Sequence, residues 1–239
     1  MKHIPNLITL VNLLLGCAAI LSVLQGHFYM AAYFVAGAAL ADFADGLAAR
    51  ALKVMSPIGK ELDSLADMIS FGLFPGAVLY TMLVLGQHPE LTTAVDGQIH
   101  WWAFPAFVLS AASALRLALF NLDERQTEGF IGLSTPPSTI LVVGLLLLFA
   151  NDTMGLQLFL SQKEFIYPLV IILSVLLLSE IPMFSFKFKH LNWEGNALRF
   201  IFAAFAIILL VIWQEIALAP IVLVYIIINV IKHVNQRIR

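Results

Sequence analysis

The hydropathy of the chain alternates between long apolar runs and short polar segments. A helix needs about 20 apolar residues to cross the hydrocarbon core of a bilayer, and eight runs approach that length. The pattern therefore predicts an all-α fold, a polytopic membrane bundle of about eight transmembrane helices. The predicted helices lie at residues 7–25, 28–49, 64–86, 101–121, 137–158, 166–184, 197–213 and 216–232.

Polar residues interrupt this pattern at two places. Asn151 and Asp152 fall inside the fifth predicted helix, and Gln214 with Glu215 forms a tight junction between the last two. No linker, low-complexity tract or convincing internal repeat divides the chain. Residues 1–239 are therefore expected to form a single domain.

Composition supports a location in the membrane. Hydrophobic residues make up 61% of the chain, charged residues make up 12%, and the mean hydropathy is +0.93, which together exclude an ordinary soluble protein. The single cysteine, Cys17, excludes an intramolecular disulfide and a cysteine metal cluster. We expect membrane lipid as a partner and no nucleic acid.

The distribution of basic residues predicts the orientation. An even number of helices places both termini on one side, and by the positive-inside rule the side richer in lysine and arginine is cytoplasmic. Lys163 alone falls in a loop on the other side. Both termini, and the functional face, are therefore expected on the cytoplasmic side of the inner membrane. The basic residues of that side are Lys2, Arg50, Lys53, Lys60, Arg125, Lys187, Lys189, Arg199, Lys232, Arg237 and Arg239.

Four aspartates fall in one short window between apolar runs. Ionised carboxylates are costly near hydrocarbon unless a cation or water compensates them. Asp42 and Asp45 are three residues apart on one face of the second predicted helix, and Asp63 and Asp67 are four apart at the start of the third. An antiparallel arrangement of these two helices would bring all four carboxylates together.

Carboxylates without a nearby histidine or thiolate favour a hard cation, so one or two Mg²⁺ or Mn²⁺ ions are expected on the four aspartates. Magnesium often completes its ligand shell with phosphate oxygens, which suggests a phosphate-bearing substrate. Gly46, Ala49 and Gly59 leave room for a nucleotide, and Arg50 is suited to hold phosphate oxygens. The alternative is that the aspartates pair with Arg50 and with nearby lysines, Lys53 and Lys60.

Residues that flank the window add two expectations. Ser56 is a possible helix cap, and Pro57 breaks or redirects the chain between the two helices. Asn6 and Thr9, followed by Asn12, recur at three-residue intervals along the first helix. They are expected to present polar groups to the nucleotide, although hydrogen bonding between helices is equally plausible.

The whole pattern, DxxDGxxAR followed after eight residues by GxxxDxxxD, resembles the defining motif of the CDP-alcohol phosphotransferase family. This resemblance implies transfer of a phosphatidyl or similar group from a CDP-activated lipid to an alcohol, with release of CMP and a divalent metal on the aspartates. It also implies a homodimer, and Asp67 as the base that accepts the proton of the alcohol. The motif positions are filled by Asp42, Asp45, Gly46, Ala49, Arg50, Gly59, Asp63 and Asp67.

The surroundings of the motif are similar to the phosphatidylserine synthase branch of that family. The segments at residues 4–16, 59–72 and 114–121 carry this likeness, whereas Leu119 and the segment GLST at residues 132–135 depart from it. The branch implies CDP-diacylglycerol and L-serine as substrates. A glycerol-phosphate or inositol-phosphate acceptor, an archaeal-type lipid donor, and a cation-coupled transporter remain as alternatives.

Two residues of the fourth predicted helix are candidates for binding the acceptor. Arg116 lies about one turn inside the helix, where a guanidinium needs an anionic partner. That partner is either the carboxylate of serine or a lipid phosphate, or it is Glu180 in a structural ion pair. Asn121 is a further candidate for the acceptor, or caps the end of the helix.

Overall fold

The computed structural model describes residues 3–54, 56–123, 130–184 and 196–238. These ranges are mostly helical, which confirms the predicted class. A single pair of two-residue strands, β1 and β2, is antiparallel, with Phe130 opposite Met183. The α-helices are α1 Ile4–Leu24, α2 Phe28–Ala51, α3 Pro57–Asp67, α4 Phe74–Gln87, α5 Val108–Leu122, α6 Thr135–Ala150, α7 Gln157–Leu160, α8 Lys163–Leu178, α9 Ala197–Trp213 and α10 Leu218–Ile238. The strands are β1 Phe130–Ile131 and β2 Pro182–Met183, and 3₁₀-helices cover Trp101–Phe107, Thr153–Gly155 and Gln214–Ala217.

Several helices have the length and apolarity that a membrane crossing requires. Within the described ranges five helical stretches qualify, and Thr135–Ala150 is a shorter apolar helix. An integral membrane bundle is therefore confirmed, while the number of crossings remains a prediction. The qualifying stretches are Ile4–Leu24, Phe28–Ala51, Pro57–Gln87, Trp101–Leu122 and Ala197–Gln236.

Both predicted interruptions are confirmed. The helix predicted at residues 137–158 ends at Ala150, and Asp152 adopts a left-handed conformation with φ of 45°. At the junction of α9 and α10, Gln214 has φ of 51°, which ends one helix before the next begins. A non-glycine residue with positive φ cannot continue a right-handed helix, so the polar positions do coincide with breaks.

The third helix is longer than predicted and changes its winding. Ser56 caps it, because its hydroxyl oxygen accepts the backbone N–H of Gly59 at 3.1 Å, and Pro57 occupies the first turn. α3 then passes without a gap into a π-helical segment, Met68–Leu73, and on into α4. The sequence pattern did not predict this segment. Such segments occur often at functional sites, and this one begins directly after Asp67.

α1 forms the wall behind the acidic window. It packs against α2, against α3 and against the π-helical segment, whereas α2 and α3 make few direct contacts with each other. The approach to the π-helical segment depends on Gly16, since a Cβ there would lie 2.2 Å from the Ser70 hydroxyl oxygen. The expected antiparallel pair of acidic helices is thus held together by a third helix.

The core lies beside this wall and fixes its position. α4 is buried on nearly every side, with Phe74, Leu79 and Leu83 fully buried. Gly144 lets α10 cross α6 closely, because a Cβ there would lie 2.4 Å from the Ala219 backbone nitrogen. A helix that is apolar all round belongs in the centre of a bundle. The acidic window therefore extends from a rigid element.

Candidate active site

Three carboxylates from two helices meet in front of α1. Asp42 on α2, and Asp63 and Asp67 on α3, each offer an oxygen, and these oxygens all lie within 4.8 Å of one another. Asp63 and Asp67 share one face because they are one helical turn apart. The three side chains are half-buried. The sequence spacing predicted that all four aspartates would converge, and the structure brings three of them into this close set.

The fourth aspartate lies beside this group and is held differently. Asp45 is only 5% exposed, and its carboxylate accepts a hydrogen bond from the buried hydroxyl of Thr9 on α1. Its charge acts on Asp42 and Asp63, but its oxygens are not part of the close set of three. Thr9, predicted to face a nucleotide, thus orients an aspartate.

Asn12 holds the last aspartate of the motif. It is fully buried on α1, and its amide donates a hydrogen bond to the Asp67 carboxylate at 3.3 Å. Its backbone carbonyl accepts the Ser70 hydroxyl at 3.1 Å, which fixes the same turn of α1 to the π-helical segment. Asn12 was expected, with Asn6 and Thr9, to present its amide to the nucleotide or to bond between helices, and the second of these is what the structure shows.

The carboxylates have the donor chemistry of a divalent metal site. Among the described residues no lysine, arginine or histidine forms an ion pair with them, so the alternative of pairing with Arg50, Lys53 or Lys60 is wrong there. One oxygen of Asp63 is buried without a hydrogen-bond partner. Clustered anions at membrane depth repel one another unless a cation compensates them. Hard oxygen ligands fit Mg²⁺ or Mn²⁺.

A cavity of about 200 Å³ adjoins the carboxylates. Gly46 opens onto it, since a Cβ there would contact only the Arg50 guanidinium, at 3.9 Å. Gly59 has a different role, because a Cβ there would lie 3.2 Å from the Asn6 amide oxygen, so its small size allows α1 and α3 to approach. We call this space the first cavity. Its lining residues are Pro5, Asn6, Thr9, Asp45, Gly46, Ala49, Val54, Ser56, Gly59, Lys60 and Asp63.

Two basic residues lie at the first cavity, one at its edge and one in its lining. Arg50, the predicted phosphate ligand, is exposed and lies at its edge. Lys60 lines it, and its ammonium donates to the backbone carbonyl of Asn121 at 3.0 Å. The sequence pattern indicated Lys60 as a cytoplasmic basic residue and as a possible partner of the aspartates, but not as a phosphate ligand, although it directly follows Gly59 of the motif. Lys60 is therefore a candidate phosphate ligand that the pattern missed.

Asn121 connects two helices at this end of the protein. Its amide donates to the Ser64 hydroxyl at 2.8 Å, and that hydroxyl in turn donates to the Lys60 backbone carbonyl at 3.2 Å. These bonds tie α5 to α3 one turn from Asp67. The contacts described for Asn121 are thus with the helix that carries the aspartates.

Arg116 lies in a second space, which we call the second cavity. Its side chain is 7% exposed, its Nε donates to the Leu133 carbonyl at 2.6 Å, and one terminal nitrogen has no hydrogen-bond partner. Glu180 lines the same cavity, but in the described chain the two side chains form no ion pair. The structural ion pair offered as an alternative is therefore not formed.

Comparison with known proteins agrees with this site. The sequence profile of the family described as CDP-alcohol phosphatidyltransferase matches residues 2–178. A protein of Bacillus subtilis named CDP-diacylglycerol--serine O-phosphatidyltransferase is 32% identical over 68% of this chain and 89% of its own length. Proteins of the same name are 31% identical in Mycobacterium leprae, over 95% of this chain and 71% of theirs, and in Helicobacter pylori, over 83% and 78%. The match spans all four aspartates and the cavity beside them, and the chain belongs to the CDP-alcohol phosphatidyltransferase family.

Proposed function

We propose that this protein transfers the phosphatidyl group of CDP-diacylglycerol to the hydroxyl of L-serine and releases CMP. The observation that carries the proposal is the convergence of Asp42, Asp63 and Asp67 beside a cavity that a glycine opens, with no ion pair to a lysine, arginine or histidine among the described residues. The names of the relatives supply the substrates. The family alone would leave the acceptor open, so serine is the part that needs the most direct test.

The first cavity is the proposed site for the nucleotide and diphosphate of the donor. Gly46 and Ala49 present backbone with little side chain, which allows a nucleotide to lie close to α2. Lys60 and Arg50 place positive charge at this cavity and at its edge, where phosphate oxygens carry negative charge. Asn6 offers a further amide to the same space. The acyl chains of the donor would remain among the lipids around the bundle.

The aspartates have distinct roles in this proposal. Asp42, Asp63 and Asp67 would hold a divalent ion, with Asp45 adjacent for a second, and a bound ion would offset the charge on the phosphoryl oxygens and on departing CMP. Thr9 keeps the Asp45 carboxylate in place through its hydrogen bond. Asn12 does the same for Asp67, so both outer members of the group are oriented from α1.

The transfer itself needs one proton acceptor. The serine oxygen forms a bond to the phosphorus that carries diacylglycerol, and the bond from that phosphorus to the bridging oxygen of CMP breaks, so CMP leaves with the electron pair. Asp67 is the proposed base for the hydroxyl proton. The helix is also restrained just after Asp67, because the Ser70 hydroxyl donates a hydrogen bond to the Asn12 backbone carbonyl.

The membrane arrangement is part of the proposal. Eight crossings with both termini in the cytoplasm would place α2 and α3 with their acidic ends at the inner leaflet, where water-soluble serine and the lipid donor meet. The positive-inside distribution of lysine and arginine supports this orientation. A homodimer in the inner membrane completes the proposed assembly.

The direct test is an acceptor assay with purified protein in detergent. CDP-diacylglycerol and Mg²⁺ or Mn²⁺ are supplied, and CMP release is followed after serine is added. Serine-dependent release is expected, and it also excludes a transporter as the sole function, since no gradient exists in detergent. Release with glycerol 3-phosphate or inositol phosphate and none with serine would move the assignment to another branch of the family.

A further inference from the structure

The second cavity is lined by a cation and an anion, Arg116 and Glu180, that form no ion pair in the described chain. It has a volume of about 450 Å³, and α5 and α8 with the segments that follow them form its walls. Arg116 lines it as the cation, and Glu180 and Asp123 line it as anions. The rest of its lining is mostly apolar and includes Leu119 and Leu177. A cavity of this kind is complementary to a small molecule that is itself charged at both ends.

Arg116 is prepared for an anion by its surroundings. Leu133 holds its Nε, and the Phe120 ring lies 5.6 Å from the guanidinium carbon, which fixes the orientation of the planar group. One terminal nitrogen lacks a partner even though the residue is almost fully buried. A buried donor without a partner is unfavourable, and a carboxylate ligand that accepts a hydrogen bond from it would remove this penalty.

Glu180 is available for a cation. It follows α8 directly, its side chain is exposed, and within the described residues it forms neither an ion pair nor a side-chain hydrogen bond. Arg116, the opposite charge in the same cavity, forms no ion pair with Glu180 in the described chain. Since Arg116 and Glu180 stay apart, a ligand with one charge of each sign can contact both.

We propose that the second cavity binds the acceptor as a zwitterion, with Arg116 contacting its carboxylate and Glu180 its ammonium group. This inference rests on the proposed function and adds a residue that selects the acceptor. A phosphorylated alcohol carries two negative charges and no ammonium, so Glu180 would repel it, whereas an amino acid is attracted. Glu180 thus distinguishes serine from the phosphorylated acceptors of related enzymes.

The position of the cavity relative to the aspartates fits this role. α5, which carries Arg116, packs against the π-helical segment that begins directly after Asp67. Asp67 is the carboxylate whose charge acts on the Arg116 guanidinium. A serine held by Arg116 would therefore lie on the side of the bundle where α5 packs against the segment that follows Asp67.

The test compares Glu180→Gln with Glu164→Gln in the full-length protein. Glu164 lies in the first turn of α8, at the opposite end of the helix that Glu180 follows, and its removal changes the net charge equally. We expect Glu180→Gln to raise the KM for L-serine about tenfold, the effect of losing one charge-assisted contact, and to leave kcat and the KM for CDP-diacylglycerol within about twofold. Glu164→Gln should behave as the unaltered protein.

Two analogues of serine separate the charges. Ethanolamine lacks the carboxylate and 3-hydroxypropanoate lacks the ammonium group, and each is used as a competitor of serine. Glu180→Gln should weaken competition by ethanolamine and leave that by 3-hydroxypropanoate unchanged. An unchanged KM for serine, or equal weakening of both competitors, would overturn the role of Glu180 while leaving the proposed function intact. Absence of serine-dependent CMP release from the unaltered protein would overturn both.

Discussion

Carboxylates occur near both ends of the long helix that runs from α3 to α4, but their surroundings differ. At one end they lie beside histidines, and at the other they lie beside one another. In the loop after α4, Glu90 lies 3.1 Å from the His88 ring and Asp96 lies 3.2 Å from the His100 ring. Asp67 is about 30 Å away along the helix, from 1.5 Å per residue, and its neighbours on α2 and α3 are other aspartates.

The loop carboxylates are stabilised by the protein itself. A hydrogen bond from the Gln98 backbone N–H, with smaller contributions from His100, lowers the pKa of Asp96. The pKa of Glu90 is lowered by its own backbone N–H first and then by His88. Glu90 and Asp96 therefore have hydrogen-bond partners within the protein and need no ligand. In the described chain the aspartates of the active site have neither a histidine partner nor an ion pair, and this difference indicates which end needs an external cation.

The largest expected effect is that of metal removal. Chelation should abolish CMP release, because the cluster of Asp42, Asp63 and Asp67 then lacks the charge that offsets the phosphoryl oxygens. Restoring Mg²⁺ or Mn²⁺ should recover activity. Ca²⁺ is a useful control, since it fills oxygen sites with a looser geometry. Full turnover after complete chelation would contradict the metal site.

Replacing one carboxylate should come next. Asp63→Asn should lower kcat about 10²–10³-fold, the usual range for losing one group that stabilises charge in the transition state. The same change should not lower the thermal stability of the metal-free protein, since it removes repulsion among the carboxylates. Asp96→Asn is the matched control at the other end, with activity within about twofold of the unaltered protein. Equal losses in the two variants would remove Asp63 from the site.

A smaller effect is expected from the residue that orients Asp45. Thr9→Val keeps the shape of the side chain and removes its hydrogen bond to the Asp45 carboxylate. We expect roughly a tenfold loss of kcat/KM for CDP-diacylglycerol, as one hydrogen bond to a charged group is lost. Thr93→Val removes a hydroxyl that donates to the Val95 carbonyl in the far loop, and should have no effect on activity. Unchanged kinetics for Thr9→Val would mean that Asp45 needs no support.

The smallest effect concerns the stability of the far loop. The pKa of Asp96 is lower in the folded protein than in the unfolded chain, so its charge stabilises the fold above the unfolded pKa and this contribution is lost as pH falls through the folded value. Asp96→Asn should therefore lower the thermal midpoint slightly near neutral pH, and the difference should disappear in acid. Melting curves of both proteins across this pH range provide the measurement, and a difference that grows in acid would contradict it.

The sequence predicted the parts of the site that depend on spacing within one helix. Asp63 and Asp67 lie one turn apart, and Ser56 is a local cap, so both follow from the order of residues. Contacts between distant segments were not predictable in this way. The bond from Asn12 to Asp67 joins residues 55 positions apart, and the separation of Arg116 from Glu180 depends on how α5 and α8 pack.

The fold shows the same division. Polar residues at the breaks, such as Asp152 and Gln214, marked ends of helices because they interrupt an apolar run. The change from α to π winding after Asp67 is not accompanied by any polar interruption of the sequence pattern. It is stabilised by partners from other helices, including the Thr139 hydroxyl, which donates to the Phe71 carbonyl at 3.0 Å. Only the assembled bundle provides those partners.

The π-helical segment Met68–Leu73 also determines how the face of α3 that carries the aspartates is rotated relative to the buried helix α4. A π turn accommodates one more residue than an α turn, so the acidic face before it and the buried face of α4 after it are offset from a regular helix. If all residues of this segment adopted regular α winding instead, the aspartates would be rotated by about 100° relative to α4. The extra residue of the π turn therefore determines which way the carboxylates face relative to the buried helix α4.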